Sequence, residues 1–276
     1  MKKNILIVGL LVIIIGLSGF IIMDKTMNKK QKKEEPKQEE VKEENLDVTS
    51  QEVMQLLNNI NLLAKNNHSD VYYGYLYKND SLKVSDMDDD LIVAIGVYHE
   101  HLKCTASWDE KCIKTTSNNP AGEVTISAEN VKKVINNIFG NINYVDTDIK
   151  SISCSGGYKF NKNDNYVGTA PACGYAGDSY DFLETKIAKA IKKDKNLDIY
   201  VKVAFGHYDF NESETGNNSI YHIYSDFKKE NEIYKAKEGI YDFEEVLLNY
   251  SDKLPVYKIH FEKENDNYLF KEVQKQ

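Results

Sequence analysis

The sequence contains no arginine. All 35 of its basic residues are lysines, they are outnumbered by 43 acids, and the formal net charge is −8. Because a nucleic-acid-binding protein needs a basic face and usually arginine forks for the phosphates, no nucleic-acid partner is expected. Only 15 glycines, 4 prolines and 4 cysteines occur in 276 residues. This composition excludes collagen-like chains, small disulfide frameworks and chains that are disordered throughout.

A long uncharged run lies near the N-terminus. Residues 5–23 contain no charged side chain, and 15 of these 19 residues are large and apolar. A helix rising ~1.5 Å per residue over this length spans the core of a bilayer. A cleaved secretory signal usually has a shorter apolar stretch followed by a small-x-small site, which Met23-Asp24-Lys25 lacks. The run therefore predicts a transmembrane signal anchor that binds the lipid bilayer, preceded by a short tail, residues 1–4.

Two signals disagree about the side of the membrane on which the rest of the chain lies. Lysines follow the run at positions 25, 29, 30, 32 and 33, and the positive-inside rule then favours a cytosol-facing chain. The tail of four residues favours the opposite orientation, because it is too short to offer a surface to a cytosolic partner. The even number of cysteines favours it too, because disulfides persist in oxidising compartments. We predict a single-pass protein of the cell membrane with its C-terminal domain outside the cytoplasm, and a cytosol-facing protein is the alternative.

The segment after the anchor has a composition that opposes folding. Residues 24–45 carry seven lysines and seven acids, one proline and almost no apolar side chain, so they cannot bury enough surface to fold. This predicts a charged, disordered stalk between the anchor and the rest of the chain. The tail at residues 1–4, on the other side of the anchor, is then cytoplasmic. Residues 46–276 are then expected to form one extracytoplasmic domain.

Apolar spacing of three and four predicts four helices in this domain. They cover residues 50–65, a segment from Ser85 or Asp86, the segment between Ser127 and Gly140, and residues 181–193. Thr49 and Glu52 form a capping box before the first helix. The second is expected to end in a polar, solvated terminus at His99-Glu100-His101. The fourth is the weakest and depends on the spacing of Leu183, Ile187 and Ala190.

Alternation of apolar and polar residues predicts strands in the second half of the chain. They cover residues 146–154, 197–208, 219–234, 255–262 and 268–273. The expected fold is α+β, with N-terminal helices packed on a mainly antiparallel sheet. The closing hairpin, LPVYKIHFEKENDNYLFKEVQ, resembles the last two strands of cystatin-like and NTF2-like sheets. That resemblance covers about 20 residues and contains no functional motif, so it implies only a fold.

The four cysteines predict two disulfides in an exported domain. Four cysteines allow three connectivities, and we favour Cys104–Cys112 and Cys154–Cys173 because each pair closes a polar, loop-like segment. A zinc site needs paired C-x-x-C spacing, which is absent here. We therefore expect no metal and no cofactor.

Tyrosine is the one residue type whose abundance indicates molecular recognition. There are 19 tyrosines, and if residues 71–77 are extended, alternate tyrosines share one face and form a platform for a peptide or a glycan. The candidate binding surface comprises Tyr73, Tyr75, Tyr77, Trp108, Tyr166 and Tyr175. The alternative is an ordinary sheet, in which tyrosine is a common residue.

Candidate catalytic residues are few. His207, His222 and His260 lie on predicted strands and share a sheet face if they converge, and Ser155 lies in a glycine-rich turn. No G-x-S-x-G elbow surrounds that serine, so no catalytic residue is assigned. The preferred function is a non-enzymatic binding or scaffold module of the bacterial envelope, whose partner is an envelope protein, peptide or glycan. The alternative is a surface hydrolase that uses Ser155 or the three histidines.

Overall fold

The structure of the chain is a computed structural model. It describes residues 43–65, 72, 74–106, 109–116, 119–150, 152, 156–161, 163–169, 179–209, 220–237 and 242–276. The predicted anchor, residues 5–23, lies outside this part, as does the predicted stalk up to residue 42. Among the described residues, no helix combines the length and the apolar character that a membrane span requires.

The described residues form an α+β fold. Its α-helices are α1 (Gln51–Asn59), α2 (Asn61–Lys65), α3 (Asp89–Ala106), α4 (Ala128–Phe139) and α5 (Phe243–Tyr250), with 3₁₀ turns at Tyr75–Tyr77 and Val84–Asp86. The first six strands are β1 (Glu43–Leu46), β2 (Ser81–Lys83), β3 (Ile113–Thr116), β4 (Asn119–Ser127), β5 (Lys159–Asn161) and β6 (Asn165–Thr169). The remaining strands are β7 (Tyr180–Lys193), β8 (Asn196–Asp209), β9 (Ile220–Tyr224), β10 (Glu232–Lys237), β11 (Val256–Glu264) and β12 (Asn267–Lys275).

A long hairpin organises the larger sheet. Strands β7 and β8 have 14 residues each and pair along almost their whole length. The first half of β8 pairs with β11, and its second half pairs with β9. The order is β1-β7-β8-β11-β12-β2, with β9 and β10 added beside the far end of β8, and every pair is antiparallel. Strand β8 therefore has two different neighbours on the same side, β11 along its first half and β9 along its second.

A smaller antiparallel sheet has the order β3-β4-β6-β5. It interrupts the predicted arrangement of helices first and strands afterwards, because β3 and β4 lie between α3 and α4 in the chain. Helices α3 and α4 contact each other and also β4, and α4 contacts β12. Gly96 makes the contact between α3 and α4 close, since a Cβ there would lie 2.8 Å from a methyl carbon of Val131.

Two hydrophobic clusters lie on opposite faces of the larger sheet. The main core includes Leu197, Ile199 and Val201, alternate residues of β8. The second cluster surrounds the buried Ala204 and Tyr208 of the other β8 face and is covered by α5. Burial of both faces at this end explains why β8 has four consecutive buried residues, Val203–Gly206.

The third predicted helix is confirmed, whereas the first, predicted over residues 50–65, forms as two helices, α1 and α2, that break at Ile60. Helix α1 begins after Ser50, whose hydroxyl accepts a hydrogen bond from the Val53 amide at 3.4 Å. Thr49 instead donates its hydroxyl to Asp47 at 2.8 Å, so the predicted threonine cap is wrong. Helix α4 lies between Ser127 and Gly140 as predicted, and Gly140 ends it with a φ of +83°.

The fourth predicted helix is wrong, because residues 181–193 belong to strand β7. A β-bulge between Ile187 and Lys189 explains the error. Before the bulge odd-numbered residues such as Leu183 and Ile187 face the main core, and after it Ala190 does. The insertion of one residue therefore converts a period of two into spacings of four and three, which imitate a helix.

Three other boundaries differ from the prediction. The second helix starts at Asp89, after a 3₁₀ turn at Val84–Asp86, rather than at Ser85 or Asp86. Glu43–Leu46 forms an edge strand on β7, so the last three residues of the predicted stalk are ordered in the sheet. Of the predicted strand at residues 146–154, the described residues 146–150 and 152 contain a single bridge, between Ile149 and Tyr158.

Candidate binding groove and histidine row

The predicted tyrosine surface does not form in the described part of the chain. Tyr75–Tyr77 is a 3₁₀ turn, not an extended strand, because Gly74 before it has a left-handed φ of +59°. Tyr77 is 3% exposed, and its ring lies 4.9 Å from that of Tyr257. The Tyr257 hydroxyl donates to the carbonyl of Tyr77 at 3.0 Å. Tyr75, in contrast to Tyr77, is partly exposed.

The other members of that surface are buried or lie outside the described residues. Tyr166 is fully buried in the smaller sheet, and its hydroxyl donates to Asp146 at 2.5 Å. Burial, followed by the hydrogen bond to Asp146, raises the pKa of Tyr166. Tyr73, Trp108 and Tyr175 lie outside the described residues. Two of the predicted surface residues, Tyr77 and Tyr166, therefore serve as core residues instead.

The first predicted disulfide forms and the second lies outside the described residues. Cys104 and Cys112 are bonded, with their Cα atoms 6.0 Å apart. The bond joins the last turn of α3 to the residue before β3. Cys154 and Cys173 lie outside the described part, so their pairing remains a prediction, and so does the position of Ser155.

The predicted histidine trio separates into a pair and a single residue. His207 and His222 are directly opposite each other on β8 and β9, with ring centroids 6.4 Å apart. His260 pairs with Asp198 at the other end of β8, and nine residues at ~3.3 Å each put it roughly 30 Å from His207. Asp198 and His207 also differ in parity, so they lie on opposite sheet faces. The three histidines therefore cannot act at one centre.

Charged residues flank the histidine pair on both sides. Asp181 on β7 bonds His207 Nδ1 at 2.6 Å, and Glu232 on β10 bonds His222 Nδ1 at 2.6 Å. Lys229 donates to both Asp181 carboxylate oxygens, at 2.7 and 2.8 Å. We name Asp181, His207, His222 and Glu232 the histidine row. Burial tends to raise the pKa of Asp181, but the hydrogen bonds from Lys229 and His207 outweigh it and hold that pKa below its usual range.

A polar groove is one of the concave features in the described part of the chain. Its volume is about 710 Å³, and α1, α3, α4 and the β11–β12 hairpin each contribute side chains. Five amide side chains line it: Gln51, Gln55, Asn59, Asn137 and Asn267. We call this feature the amide groove. Three of the five are spaced by four residues along α1 and therefore share one helix face.

Charged and apolar side chains complete the lining. Glu52, Asp266 and Lys103 carry charge, and Lys103 is paired with Glu100 in the preceding turn of α3. The aliphatic side chains are Leu56, Val134 and Ile138, and Tyr268 adds an aromatic ring. An amide supplies both donors and acceptors, so the groove offers a dense set of uncharged hydrogen-bonding groups.

His99 stands in the amide groove in a fixed orientation. Its Nε2 lies 2.9 Å from the backbone carbonyl of Asn59, which can only accept. Nε2 therefore carries the proton, and Nδ1 is an acceptor in the neutral ring. Burial lowers the pKa of His99 and so favours that neutral form. The predicted solvated terminus at His99-Glu100-His101 is thus wrong, because α3 continues to Ala106 and His101 is buried.

Tyr268 contributes a second unusual group to the same groove. Its side chain is 8% exposed, and its buried hydroxyl has no hydrogen-bond partner among the described residues. Burying a hydroxyl without a partner costs roughly 1–3 kcal/mol. Such an orphaned group next to a concave polar surface is typical of a place where a ligand or water completes the hydrogen bonds.

No group of three or more histidine, cysteine, aspartate or glutamate side chains converges as a metal site within the described ranges. Comparisons of the chain with protein-family models, with curated protein sequences and with solved structures find no match. The likeness of the closing hairpin to cystatin-like and NTF2-like sheets is accordingly not confirmed, although the hairpin itself forms.

Sequence reasoning missed the amide groove. The signal was present in part, since Gln51, Gln55 and Asn59 recur every four residues on the polar face of a predicted helix. A polar face is usually only a solvated face. The contributions of Asn137 and Asn267 come from distant parts of the chain, and only the packing of α4 and the hairpin beside α1 brings them to the groove.

Proposed function

We propose that this protein is a non-enzymatic binding module, anchored in the membrane through residues 5–23, whose folded domain binds a neutral glycan outside the cytoplasm. The observation that carries this proposal is the amide groove. Five amide side chains from helices and a hairpin line a depression of about 710 Å³, a size that suits a small ligand.

The chemistry of the groove favours a sugar over a peptide. Amide groups donate and accept hydrogen bonds in one plane, which matches the adjacent hydroxyls of a sugar. A peptide ligand is usually held by pockets for its apolar side chains or by an exposed strand edge, whereas amide side chains outnumber aliphatic ones here and the aromatic ring of Tyr268 offers a surface on which a sugar can stack. Charges of both signs line the rim, which disfavours a strongly charged ligand.

The first test is binding of N-acetylglucosamine oligomers to the full chain in lipid nanodiscs, measured by saturation-transfer NMR with empty nanodiscs as the blank. Gln55→Ala and Asn137→Ala each remove one hydrogen-bonding side chain, worth roughly 1 kcal/mol, and are expected to weaken binding about fivefold. Both side chains are exposed, so the free energy of unfolding should change by less than about 0.5 kcal/mol.

Gln274→Ala is the matched control, because Gln274 is an exposed amide of β12 that does not line the groove. It should bind the oligomers as tightly as the wild type. Equal affinities for Gln55→Ala, Asn137→Ala and Gln274→Ala would remove the amide groove as the binding site. Absence of any saturation transfer from a panel of neutral oligosaccharides would remove the glycan assignment.

A further inference from the structure

The histidine row has an arrangement that a plain sheet surface does not require. Four side chains from four adjacent strands, β7, β8, β9 and β10, form two consecutive carboxylate–histidine pairs. The same pairing occurs once more between Asp198 and His260, but there the histidine has no second histidine opposite it on either neighbouring strand. The row therefore differs from that isolated pair by the juxtaposition of two imidazoles.

The hydrogen bonds determine which nitrogen of each ring is available. A carboxylate only accepts, so Nδ1 of a neutral His207 carries a proton toward Asp181, and Nε2 carries the lone pair. The same holds for His222 with Glu232. On an imidazole, Nε2 lies on the ring edge away from Nδ1. Asp181 and Glu232 lie on the outer two of these four strands, so neither carboxylate stands between the two rings.

We propose that His207 and His222 bind one divalent transition-metal ion, of the zinc, nickel or copper class, through their two Nε2 atoms. Water completes the coordination, since the described residues supply no third ligand. Metal-binding histidines almost always donate the other ring nitrogen to a carboxylate or carbonyl, which orients the ring and raises its basicity. Imidazole ligands suit these ions. This site is independent of the amide groove.

The distances agree with a site that closes on the ion. Zinc–nitrogen bonds of about 2.0–2.1 Å in tetrahedral geometry hold two nitrogens roughly 3.4 Å apart. Ring centroids at 6.4 Å on directly opposite residues of paired strands bring the two imidazoles within reach of one ion once the side chains rotate towards it. The ring of Tyr224 lies beside that of His222 and is nearly parallel to it, at 6.3 Å and 16°.

The surrounding charge is balanced. Asp181 and Glu232 are negative, Lys229 is bound to Asp181, and Lys235 lies opposite His222 on β10. Two carboxylates thus offset two lysines, so these four groups add no net charge around the two imidazoles. A cation is therefore not repelled overall, although Lys229 makes Asp181 the weaker of the two orienting carboxylates.

The test is titration of the full chain in nanodiscs with Zn²⁺ by calorimetry, and with Cu²⁺ by electron paramagnetic resonance, which counts bound nitrogens. We expect one ion per chain and two nitrogen ligands on copper. His207→Gln and His222→Gln should each weaken binding by more than tenfold and leave at most one nitrogen on the ion. Glu232→Gln, which removes only the orienting carboxylate, should weaken binding by about tenfold.

His260→Gln is the matched control, because it removes a carboxylate-paired histidine that has no second imidazole beside it. It should bind both ions as the wild type does. Far-UV circular dichroism of the metal-free variants verifies that each remains folded. Unchanged zinc affinity in both His207→Gln and His222→Gln, an equal loss in His260→Gln, or no zinc binding by the wild type would each overturn the proposal.

Discussion

His101 is a histidine buried in the folded domain. It is 1% exposed on α3, and its Nδ1 lies 2.5 Å from the hydroxyl of Tyr158, a buried residue beside the smaller sheet. Burial lowers the pKa of His101 to about 4, compared with an ordinary value near 6.5. The folded state therefore keeps this ring neutral at pH values at which the unfolded chain has already bound a proton.

This difference in pKa predicts a loss of stability in mild acid. Between pH 6.5 and 4 the unfolded state binds more protons at His101 than the folded state, so stability falls as the pH is lowered. From pH 7 to pH 5 the contribution of His101 is roughly 2 kcal/mol. His101→Gln cannot titrate, and the free energy of its urea unfolding should decrease less over this interval than that of the wild type.

The comparison is made between the two proteins at each pH, because other groups also titrate in this range. Gln274→Ala is the control, because it changes an exposed side chain that does not titrate, and its stability curve should run parallel to that of the wild type. Parallel stability curves for the wild type and His101→Gln between pH 7 and 5 would contradict the assignment of this effect to His101.

Among the elements, the bulge in β7 and the disulfide after α3 are the two local features with consequences for a whole segment. The bulge gives the apolar residues of β7 the spacing of a helix, yet pairing with β8 supplies hydrogen bonds along the whole strand. The disulfide connects α3 to the smaller sheet, where the carbonyl of Cys112 accepts a hydrogen bond from the Thr125 amide of β4 at 2.9 Å.

Removing that disulfide is expected to destabilise the fold. Cys104 and Cys112 are separated by eight positions, and closing so short a loop restricts the unfolded chain enough to contribute about 2–3 kcal/mol. The double variant Cys104→Ala/Cys112→Ala should therefore unfold in urea with a free energy lower by about that amount. Variants are preferable to a reducing agent, because a reductant would also act on any bond between Cys154 and Cys173.

Cys112→Ala and Cys104→Ala as single variants separate the bond from the packing. Cys104 is buried, so its loss adds a small packing defect, whereas Cys112 is partly exposed. Each single variant should lose nearly as much stability as the double variant, because either one breaks the same bond. A double variant as stable as the wild type would show that the loop is already restrained by its backbone hydrogen bonds.

For the whole molecule, the proposed anchor at residues 5–23 leads to a prediction about the side of the membrane on which the domain lies. If it lies outside, as we propose, its disulfides form in an oxidising compartment. Blocking free thiols in intact cells with a membrane-impermeant reagent, then comparing intact masses with and without reduction, measures this directly. All four cysteines are expected to resist the reagent until they are reduced, which corresponds to two disulfides.

The alternative topology gives a different result in the same experiment. A cytosol-facing chain, which the lysines at positions 25–33 favour under the positive-inside rule, would keep its thiols reduced. All four would then react without reduction, but only after the membrane had been opened. That outcome would also exclude a ligand from outside the cell for the amide groove.

Local sequence signals were sufficient to predict the α+β class, the helices around Val53 and Val131, the strand β8, the closing hairpin and the Cys104–Cys112 pair. Each of these depends on local signals, namely periodicity, caps, turns and short spacing, which act within a few residues. The predicted anchor at residues 5–23 is also a local signal and remains a prediction.

Tertiary contacts were needed to show that residues 181–193 belong to a strand, β7, and not to a helix. The same is true of the burial of Tyr77 and Tyr166. It also holds for the separation of His260 from His207 and His222 and for the assembly of the amide groove. Each depends on partners far away in the chain. A bulge can give a strand the apolar spacing of a helix, and a tyrosine suits a core as well as a surface. The choice is made by which distant strand or helix supplies the hydrogen bonds and covers the apolar face.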